Sequence, residues 1–452
     1  MCASVGLVAL AGLVHWLGER SIRALGALES TLIVGGFLVL FFLLPHAIAG
    51  DDNVRFADVE ELLHHGKLAD DQYSLVMPVS SLPVLSLGNL VESRSWWAGR
   101  FNVIVVAVGV AVAFRLLRAR VEPQLLRRFV LVLLFASFLT NRLRDYNAEV
   151  LTGTLVALGI ICLATGRHIV AGWAAIVIGV VNTPAALIAL LLVAGLEVAR
   201  TRRLRHLAPV AAAAALIMLE AWVRRGGPFV TGYEGNHGFP TIMPYSGRPG
   251  FSYPFLLGLA AILFSFGRGL LFFMPGLALW LDGGTRRLFA GRRAVSMMLL
   301  FTAGLVLVYS KWWAWYGGSA WGPRFFVFAA VPASVFLAAR IQRGERSPRA
   351  AALTLCVLVL SAWVSCAGAI ADLNAVSSFC ASDGFQNEQL CWFTPDYSSL
   401  WQPVRQFPQL TTATTLVALY CGIVLSCLAA PLVAALARSV RPRSSWIAGW
   451  RV

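Results

Sequence analysis

The sequence has 452 residues, of which 58% are hydrophobic and only 13% are charged, and its formal net charge is +15. A soluble protein is about half apolar and a quarter charged, and one core could not bury the apolar excess found here. The composition therefore excludes a soluble protein. The basic residues fall in short clusters between apolar runs, which is typical of cytoplasmic loops and argues against nucleic-acid binding.

Apolar runs long enough to cross about 30 Å of hydrocarbon recur along the chain. They predict an all-α, polytopic transmembrane helix bundle of about 11–13 spans, with external juxtamembrane helices. The candidate spans are 1–17, 31–49, 101–117, 129–140, 150–165, 169–181, 185–199, 209–223, 270–281, 294–310, 325–339, 350–370 and 412–437. An alternative for the first run is a cleaved signal peptide. That run lacks a positive leading region and a cleavage site, so we expect a spanning or half-buried helix.

The basic clusters predict the orientation, because Lys and Arg concentrate in cytoplasmic loops. The clusters occupy alternate loops, and one threading places all of them inside, with the N-terminus outside and the C-terminus inside. Long loops at 50–100, 224–269, 311–324 and 371–411 then face the outside. We expect a multi-pass cell-membrane protein whose functional residues lie on the extracytoplasmic face.

The first outside loop begins with two adjacent acids, Asp51 and Asp52. Carboxylates are costly to place near lipid, so a functional role is one interpretation of this pair. The loop continues as an amphipathic helix whose apolar face is predicted to carry Phe56, Val59 and Leu63. The alternative, which the pair taken alone favours, is that one aspartate caps this helix and the other is a solvated partner.

A second acidic group, Asp145 and Glu149, is expected on the same outer face, with Glu149 beginning the next span. The alternative for Asp145 is a plain ion pair with Arg142 or Arg144.

Residues 311–324 combine four tryptophans with three glycines, Tyr316 and two cations, Lys311 and Arg324. An aromatic belt at the membrane surface explains tryptophans but not the interleaved glycines, which let backbone approach a ligand. Sugar rings stack on aromatic faces, and phosphates pair with Lys and Arg. The stretch therefore predicts a ligand site that includes Trp315 and Trp321. Arg268, between two glycines in an apolar stretch, is a further functional candidate.

Two of the eight cysteines, Cys380 and Cys391, share the outside loop at 371–411, where an oxidising exterior permits a disulfide. The others lie in or beside apolar runs and are expected to be small buried hydrophobes. No motif for a metal site, a Walker loop or a dinucleotide fingerprint is present.

The aspartate pair closing an early span, the amphipathic helix after it and the outside chemistry resemble the GT-C glycosyltransferases. These polytopic enzymes take a sugar from a polyprenyl-phosphate donor. The stretches 267–272 and 315–324 resemble actinobacterial-type members, and the resemblance covers residues 31–324 loosely. The proline- and lysine-rich segment of the aminoarabinose-transfer branch is missing, as is a soluble C-terminal domain, so the acceptor stays open between a glycan, a lipid and a protein.

The resemblance implies a role for each candidate. Asp51 or Asp52 would be the general base on the acceptor hydroxyl, and Asp145 or Glu149 the second external acid. The other substrate-binding candidates are Arg55, Arg268, Lys311, Trp315, Tyr316, Trp321 and Arg324, of which Arg268, Lys311 and Arg324 would hold the donor phosphate. No cofactor is implied beyond a divalent metal that some relatives use, for which no ligand set is visible.

The resemblance also implies one transmembrane domain over 1–452, with a catalytic core at 31–340 and C-terminal spans at 341–452. The rival hypothesis is a transporter or flippase for a lipid-linked or small solute. That class would show internal repeats and polar residues at mid-membrane, and the sequence shows no convincing repeat. A catalytically inactive scaffold with the same fold is a third alternative.

Overall fold

The structure is a computed structural model that describes residues 22–233, 241–318, 320–344, 347–371, 379–401, 404–405 and 411–440. Every regular element in these ranges is helical. The predicted first span, 1–17, lies outside the described residues.

The α-helices are numbered here in chain order. They are α1 (Ile22–Leu38, continued by a π-helical turn, Val39–Leu43), α2 (Asp51–His65), α3 (Val76–Leu85), α4 (Arg94–Leu117), α5 (Pro123–Phe135), α6 (Leu139–Arg142), α7 (Ala148–Thr165), α8 (Ile169–Asn182), α9 (Leu187–Thr201), α10 (Ala208–Arg225), α11 (Phe255–Phe264), α12 (Leu270–Phe273), α13 (Gly283–Leu288), α14 (Arg293–Tyr309), α15 (Ala330–Arg343), α16 (Pro348–Ile370), α17 (Ser382–Phe385), α18 (Glu388–Phe393) and α19 (Thr412–Val440). Short 3₁₀ segments, Pro275–Leu281 and Arg324–Ala329 among them, connect some of these helices.

The all-α polytopic architecture is confirmed. Within the described ranges, eight helices are long and apolar enough to cross a membrane: Arg23–Leu43, Arg94–Leu117, Ala148–Thr165, Pro184–Thr201, Leu204–Arg225, Arg324–Arg343, Pro348–Ile370 and Thr412–Ser439. Four shorter apolar helices accompany them: Val76–Gly88, Ile169–Asn182, Phe255–Phe264 and Arg293–Tyr309.

The predicted continuous span at 270–281 is wrong. The chain forms one helical turn, α12, and then the 3₁₀ segment Pro275–Leu281. Met274 between them has φ −136° and ψ 59°, which is not helical. Proline lacks an N–H and disfavours an α conformation in the residue before it, so Pro275 breaks the helix that hydropathy alone suggests.

Small residues bring the central helices together. The helices α7 and α8 meet where Gly159 faces Gly172, and a Cβ added to Gly159 would lie only 2.5 Å from the Gly172 carbonyl oxygen. On the other side of α7, a Cβ at Gly109 of α4 would lie 2.4 Å from a methyl carbon of Thr154. Glycines at such crossings let membrane helices pack backbone against backbone. This packing fixes α7, which carries Glu149.

Hydrogen bonds to backbone carbonyl oxygens hold the connection between α6 and α7 at the same end of the bundle as α2. Asn102 of α4 donates through Nδ2 to the carbonyl oxygens of Asp145 at 2.6 Å and Asn147 at 3.1 Å. The Ala47 N–H, just before α2, donates to the Arg144 carbonyl oxygen at 3.0 Å. The two acidic groups predicted from sequence therefore lie on one face of the molecule.

Candidate active site

The site begins at the sharp turn into α2. Gly50 has φ 60°, which favours glycine, and it ends the irregular segment 44–50 directly before α2. Oδ2 of Asp51 lies 2.7 Å from Nη2 of Arg324, and Oδ1 of Asp52 lies 3.1 Å from Nη1 of Arg55. Gly50 occupies the N-cap position and has no side chain to accept a capping hydrogen bond, so the alternative that an aspartate caps α2 is wrong. Both acids instead occupy the first turn, where the helix dipole favours negative charge.

The buried face of α2 also differs from the predicted apolar face. The buried residues are Asp52, Arg55, Asp58 and Val59, whereas Leu63 is 37% exposed. The guanidinium of Arg55 lies 4.2 Å above the Tyr73 ring, which contributes a cation–π contact in this buried place. Burying polar groups costs free energy unless they are paired, so the fold keeps this polar face together with partners from other segments.

The second acidic group lies beside the first. Oδ2 of Asp145 is 3.5 Å from Nη2 of Arg142, so the ion pair that the sequence offered as an alternative is present. Glu149 is in the first turn of α7 and is buried, and its Oε2 has no hydrogen-bond partner in the part of the chain that is described. Glu149 and Asp145 are close enough to Asp52 for their charges to act on it.

The environment shifts the pKa values of Asp51 and Asp52 in opposite directions. Burial raises the pKa of Asp52; Arg55 opposes this, and the negative charges of Asp145 and Glu149 add to it. Burial would also raise the pKa of Asp51, but Arg324, Arg55 and a hydrogen bond with Tyr73 outweigh it and hold that pKa below its ordinary value. Carboxylates whose environments separate their pKa values are typical of acid–base sites.

Arg268 provides buried positive charge with unused donors. It is 1% exposed, and its Nη2 donates to the Gly318 carbonyl oxygen at 2.9 Å. Its Nε and Nη1 find no acceptor among the residues that the structure describes. Burial, and then the charges of Arg142 and Arg324, lower the pKa of Arg268, so the three guanidinium groups are close enough to repel one another. An anion placed between them would relieve this repulsion.

The aromatic residues predicted to stack on sugar are packed in the protein core instead. The Trp321 ring is stacked on Phe138 with centroids 5.8 Å apart, and Phe273 meets its edge. Trp315 and Tyr316 are 2% exposed and pack against each other. Lys311 is exposed and forms no ion pair with any of the described residues. Packing against other rings accounts for the burial of these large side chains, and a ligand-stacking role for them stays a prediction.

Three further residues of the site were missed as binding candidates by sequence reasoning. Arg142 was considered only as a partner of Asp145, although it also faces Arg268. Tyr73 gave no signal, because its approach to Arg55 depends on the path of the chain after α2. Trp392 lies beneath Arg268, and the adjacent cysteine was its only visible cue. Cys391 forms a disulfide with Cys380, with Cα atoms 6.2 Å apart.

The acids in the described part of the chain are not arranged as a set of metal ligands. Among the described residues, no group of three or more His, Cys, Asp and Glu side chains is arranged to hold a metal ion. Three of the acids at the site face arginines instead: Asp51 faces Arg324, Asp52 faces Arg55 and Asp145 faces Arg142. No step is therefore assigned to a metal.

Comparison of the whole structure with solved structures gives a clear match to ArnT from Cupriavidus metallidurans. The apo structure of ArnT matches with a TM-score of 0.53 and 15% sequence identity, and the structure bound to undecaprenyl phosphate with 0.52 and 14%. Each match covers 91% of this chain and 78% of the ArnT chain. ArnT is a GT-C glycosyltransferase. The chain has a GT-C fold. No protein-family model and no curated protein matches the sequence.

Proposed function

We propose that this protein is a membrane glycosyltransferase of the actinobacterial-type GT-C branch. It moves a sugar from a polyprenyl-phosphate donor to an acceptor hydroxyl at the outer face of the cell membrane. The observation that carries the proposal is the buried set of acids around Asp52 beside a buried, incompletely paired Arg268, in the fold of a protein solved with undecaprenyl phosphate bound. The acceptor would be a glycan, a lipid or a protein of the cell envelope.

The arrangement suits the chemistry of this transfer. The Asp52 carboxylate accepts the proton of the acceptor hydroxyl while that oxygen attacks the anomeric carbon of the sugar. The bond from the anomeric carbon to the phosphate oxygen breaks, and polyprenyl phosphate leaves with the bonding electrons. Its growing negative charge needs cations fixed in advance, and Arg268, with Arg142 and Arg324 nearby, provides them.

Asp52 is preferred to Asp51 as the base because a base works best when its pKa is near the working pH. Asp52 has the raised pKa, whereas Asp51 is held ionised by Arg324. We assign Asp51 the task of fixing Arg324 beside the phosphate. Asp145 holds Arg142 in place, and the charges of Asp145 and Glu149 keep the site negative around the acceptor.

An apolar cavity of about 560 Å³ supports a lipid-linked donor. It lies between α4, α5, α7, α14 and α15. Its lining includes Leu139, one helical turn before Arg142, and Val150, the residue after Glu149. A polyprenyl chain could occupy it while the phosphate stays at the arginines. The lining also includes four charged residues, which belong to loops and helix ends away from Arg142 and Glu149: Arg120, Glu122, Arg292 and Arg343.

The helix α4 supports the proposed orientation of the protein in the membrane. The helix α4 begins beside α2, where Nη1 of Arg94 lies 3.0 Å from Oε2 of Glu60. Its 24 residues span about 36 Å, so its other end, followed by Arg118 and Arg120, lies a membrane thickness away. Basic residues favour the cytoplasm, and this supports a site on the extracytoplasmic side.

The test is sugar transfer from a panel of radiolabelled polyprenyl-phosphate sugars by the full chain in membranes. The radiolabelled sugar should move into a glycan, lipid or protein fraction. The double variant Asp51→Asn/Asp52→Asn, which should not transfer sugar, is the control. Transfer that is absent from every donor and acceptor fraction, by protein that still binds polyprenyl phosphate, would contradict the proposal.

A further inference from the structure

A segment near the C-terminus packs against the arginine side of the site. This segment, residues 379–401, is called here the disulfide loop, because Cys380 and Cys391 are joined within it. Both cysteines and Trp392 are at most 3% exposed. An exposed loop would not bury these residues, so the disulfide loop is a packed part of the fold.

The disulfide loop contacts the chain on both sides of Arg268. The Gly267 N–H donates to the Trp392 carbonyl oxygen at 3.1 Å, and the Ser398 hydroxyl donates to the Phe266 carbonyl oxygen at 2.7 Å. A Cβ added to Gly267 would lie only 1.9 Å from the Cys391 carbonyl oxygen. The glycine before Arg268 is therefore explained by this close approach.

The Arg268 side chain lies on the ring of Trp392, with Cζ 4.1 Å from the ring centroid. Trp392 is in turn stacked on Tyr316, with centroids 5.2 Å apart and planes 22° apart. The ring of Trp392 thus lies between a guanidinium and a second aromatic ring. Together with the bond to Gly318, this fixes the direction in which Nε and Nη1 of Arg268 point.

We propose that the disulfide loop helps to form the anion-binding site at Arg268. Trp392 is a positioning residue for Arg268, and the Cys380–Cys391 disulfide holds Trp392 in place. The loop supplies a buried cation–π contact, and such contacts favour a guanidinium in a desolvated site. The ligand class is a phosphate monoester or diester on a lipid. This last point rests on the proposed function, whereas the positioning of Arg268 does not.

Two readouts separate the positioning claim from the proposed function. The first is modification of Arg268 by phenylglyoxal, an arginine reagent, in the full chain in detergent, read by peptide mass spectrometry. The second is binding of a short-chain polyprenyl phosphate. The variants are Trp392→Leu, Trp392→Phe, Cys380→Ala/Cys391→Ala and Arg268→Ala. Trp401→Leu is the matched control, since Trp401 is in the same loop but 51% exposed.

We expect Arg268 to be protected in wild type and in Trp401→Leu, and modified in Trp392→Leu and in the double cysteine variant. Polyprenyl phosphate should bind those two variants about threefold to thirtyfold more weakly, the range for loss of a cation–π contact. Trp392→Phe, which keeps an aromatic face, should lie between Trp392→Leu and wild type.

Equal protection of Arg268 in wild type, Trp392→Leu and the double cysteine variant would overturn the proposal, whatever the lipid binding shows. Normal lipid binding by Trp392→Leu, with binding lost in Arg268→Ala, would overturn it and leave the proposed function intact. If wild type binds no polyprenyl phosphate but Arg268 becomes modified in Trp392→Leu, the lipid-donor function fails and the positioning role of Trp392 is supported.

Discussion

Nη2 of Arg324 lies 2.7 Å from Oδ2 of Asp51, and this ion pair joins the start of α2 to the 3₁₀ segment that leads into α15. The two residues are far apart in the sequence, and each was a candidate for a different reason. Their contact places the acid of the first loop beside a cation assigned to the donor phosphate. The ion pair also explains why the two neighbouring aspartates have different electrostatic environments.

Arg324→Gln should lower sugar transfer about tenfold to a hundredfold, the range for loss of a charge-assisted hydrogen bond. Without Arg324, burial would raise the pKa of Asp51, so part of the loss should come through Asp51. Adding Asp51→Asn to Arg324→Gln should then cost less than Asp51→Asn alone. A double-mutant cycle on kcat/KM measures this, with Arg324→Lys as the charge-conserving control. Strictly additive losses would show that the pair does not act as a unit.

Glu149→Gln should move the acid limb of the kcat/KM profile to lower pH. The negative charge of Glu149 helps to raise the pKa of Asp52, so its removal lowers that pKa and lets the base form at lower pH. Glu122→Gln, an exposed acid in the loop between α4 and α5, is the matched control and should leave the limb in place. A limb that stays unchanged or moves to higher pH in Glu149→Gln would exclude Asp52 as the titrating base.

Trp321→Leu should lower the apparent Tm in detergent while leaving the donor KM nearly unchanged. The ring is 1% exposed between Phe138 and Phe273. Truncation of such a core aromatic to alanine costs about 3–5 kcal/mol, and leucine, which is larger than alanine, should cost less. Trp222→Leu removes a 62% exposed ring from α10 and should leave the Tm unchanged. A raised donor KM with an unchanged Tm would restore the sugar-stacking role that the sequence suggested.

Asp58 should make the folded state less stable as pH rises. Burial, and then a hydrogen bond with Asp71 and its charge, raise the pKa of Asp58 to about 8. An unfolded aspartate has a pKa of about 4, so between about pH 4 and 8 the folded protein keeps a proton that the unfolded chain releases. Stability should therefore fall across that window. The measurement is the apparent Tm at pH 5 and at pH 8.

Asp58→Asn should flatten this dependence, because the amide can donate to Asp71 at every pH. Glu61→Gln changes a partly exposed acid in the same helix and should keep the wild-type slope. An equal slope in wild type and Asp58→Asn would show that Asp58 holds no shared proton.

The sequence predicted what depends on hydropathy and on local chemistry. Apolar runs are long enough to identify most spans, and the acids at 51, 52, 145 and 149 stood out because charge is rare at span ends. Hydropathy could not predict the break at Pro275, since the residues on both sides of it are apolar. Composition also could not separate a tryptophan that faces ligand from one, such as Trp321, that faces Phe138.

The rest of the site depends on contacts between distant segments. Arg268 has a partner in Trp392 and a backbone acceptor in Gly318, and nothing local to any of the three indicates the others. The buried face of α2 is another example. Its spacing suggested Phe56, Val59 and Leu63 inward. Val59 is buried as predicted, but Leu63 is exposed and Asp52 and Arg55 are buried as well. Tertiary pairing of charges overrode amphipathic periodicity there.

The most direct test of the account is to measure turnover and donor binding separately in Asp52→Asn and Asp51→Asn. With the best donor of the panel, Asp52→Asn should lose at least about a hundredfold in kcat, in the range typical of a general base, and still bind polyprenyl phosphate. Asp51→Asn should retain measurable turnover with weaker donor binding, since it loosens Arg324. Wild-type turnover in Asp52→Asn would contradict the central claim that Asp52 takes the acceptor proton.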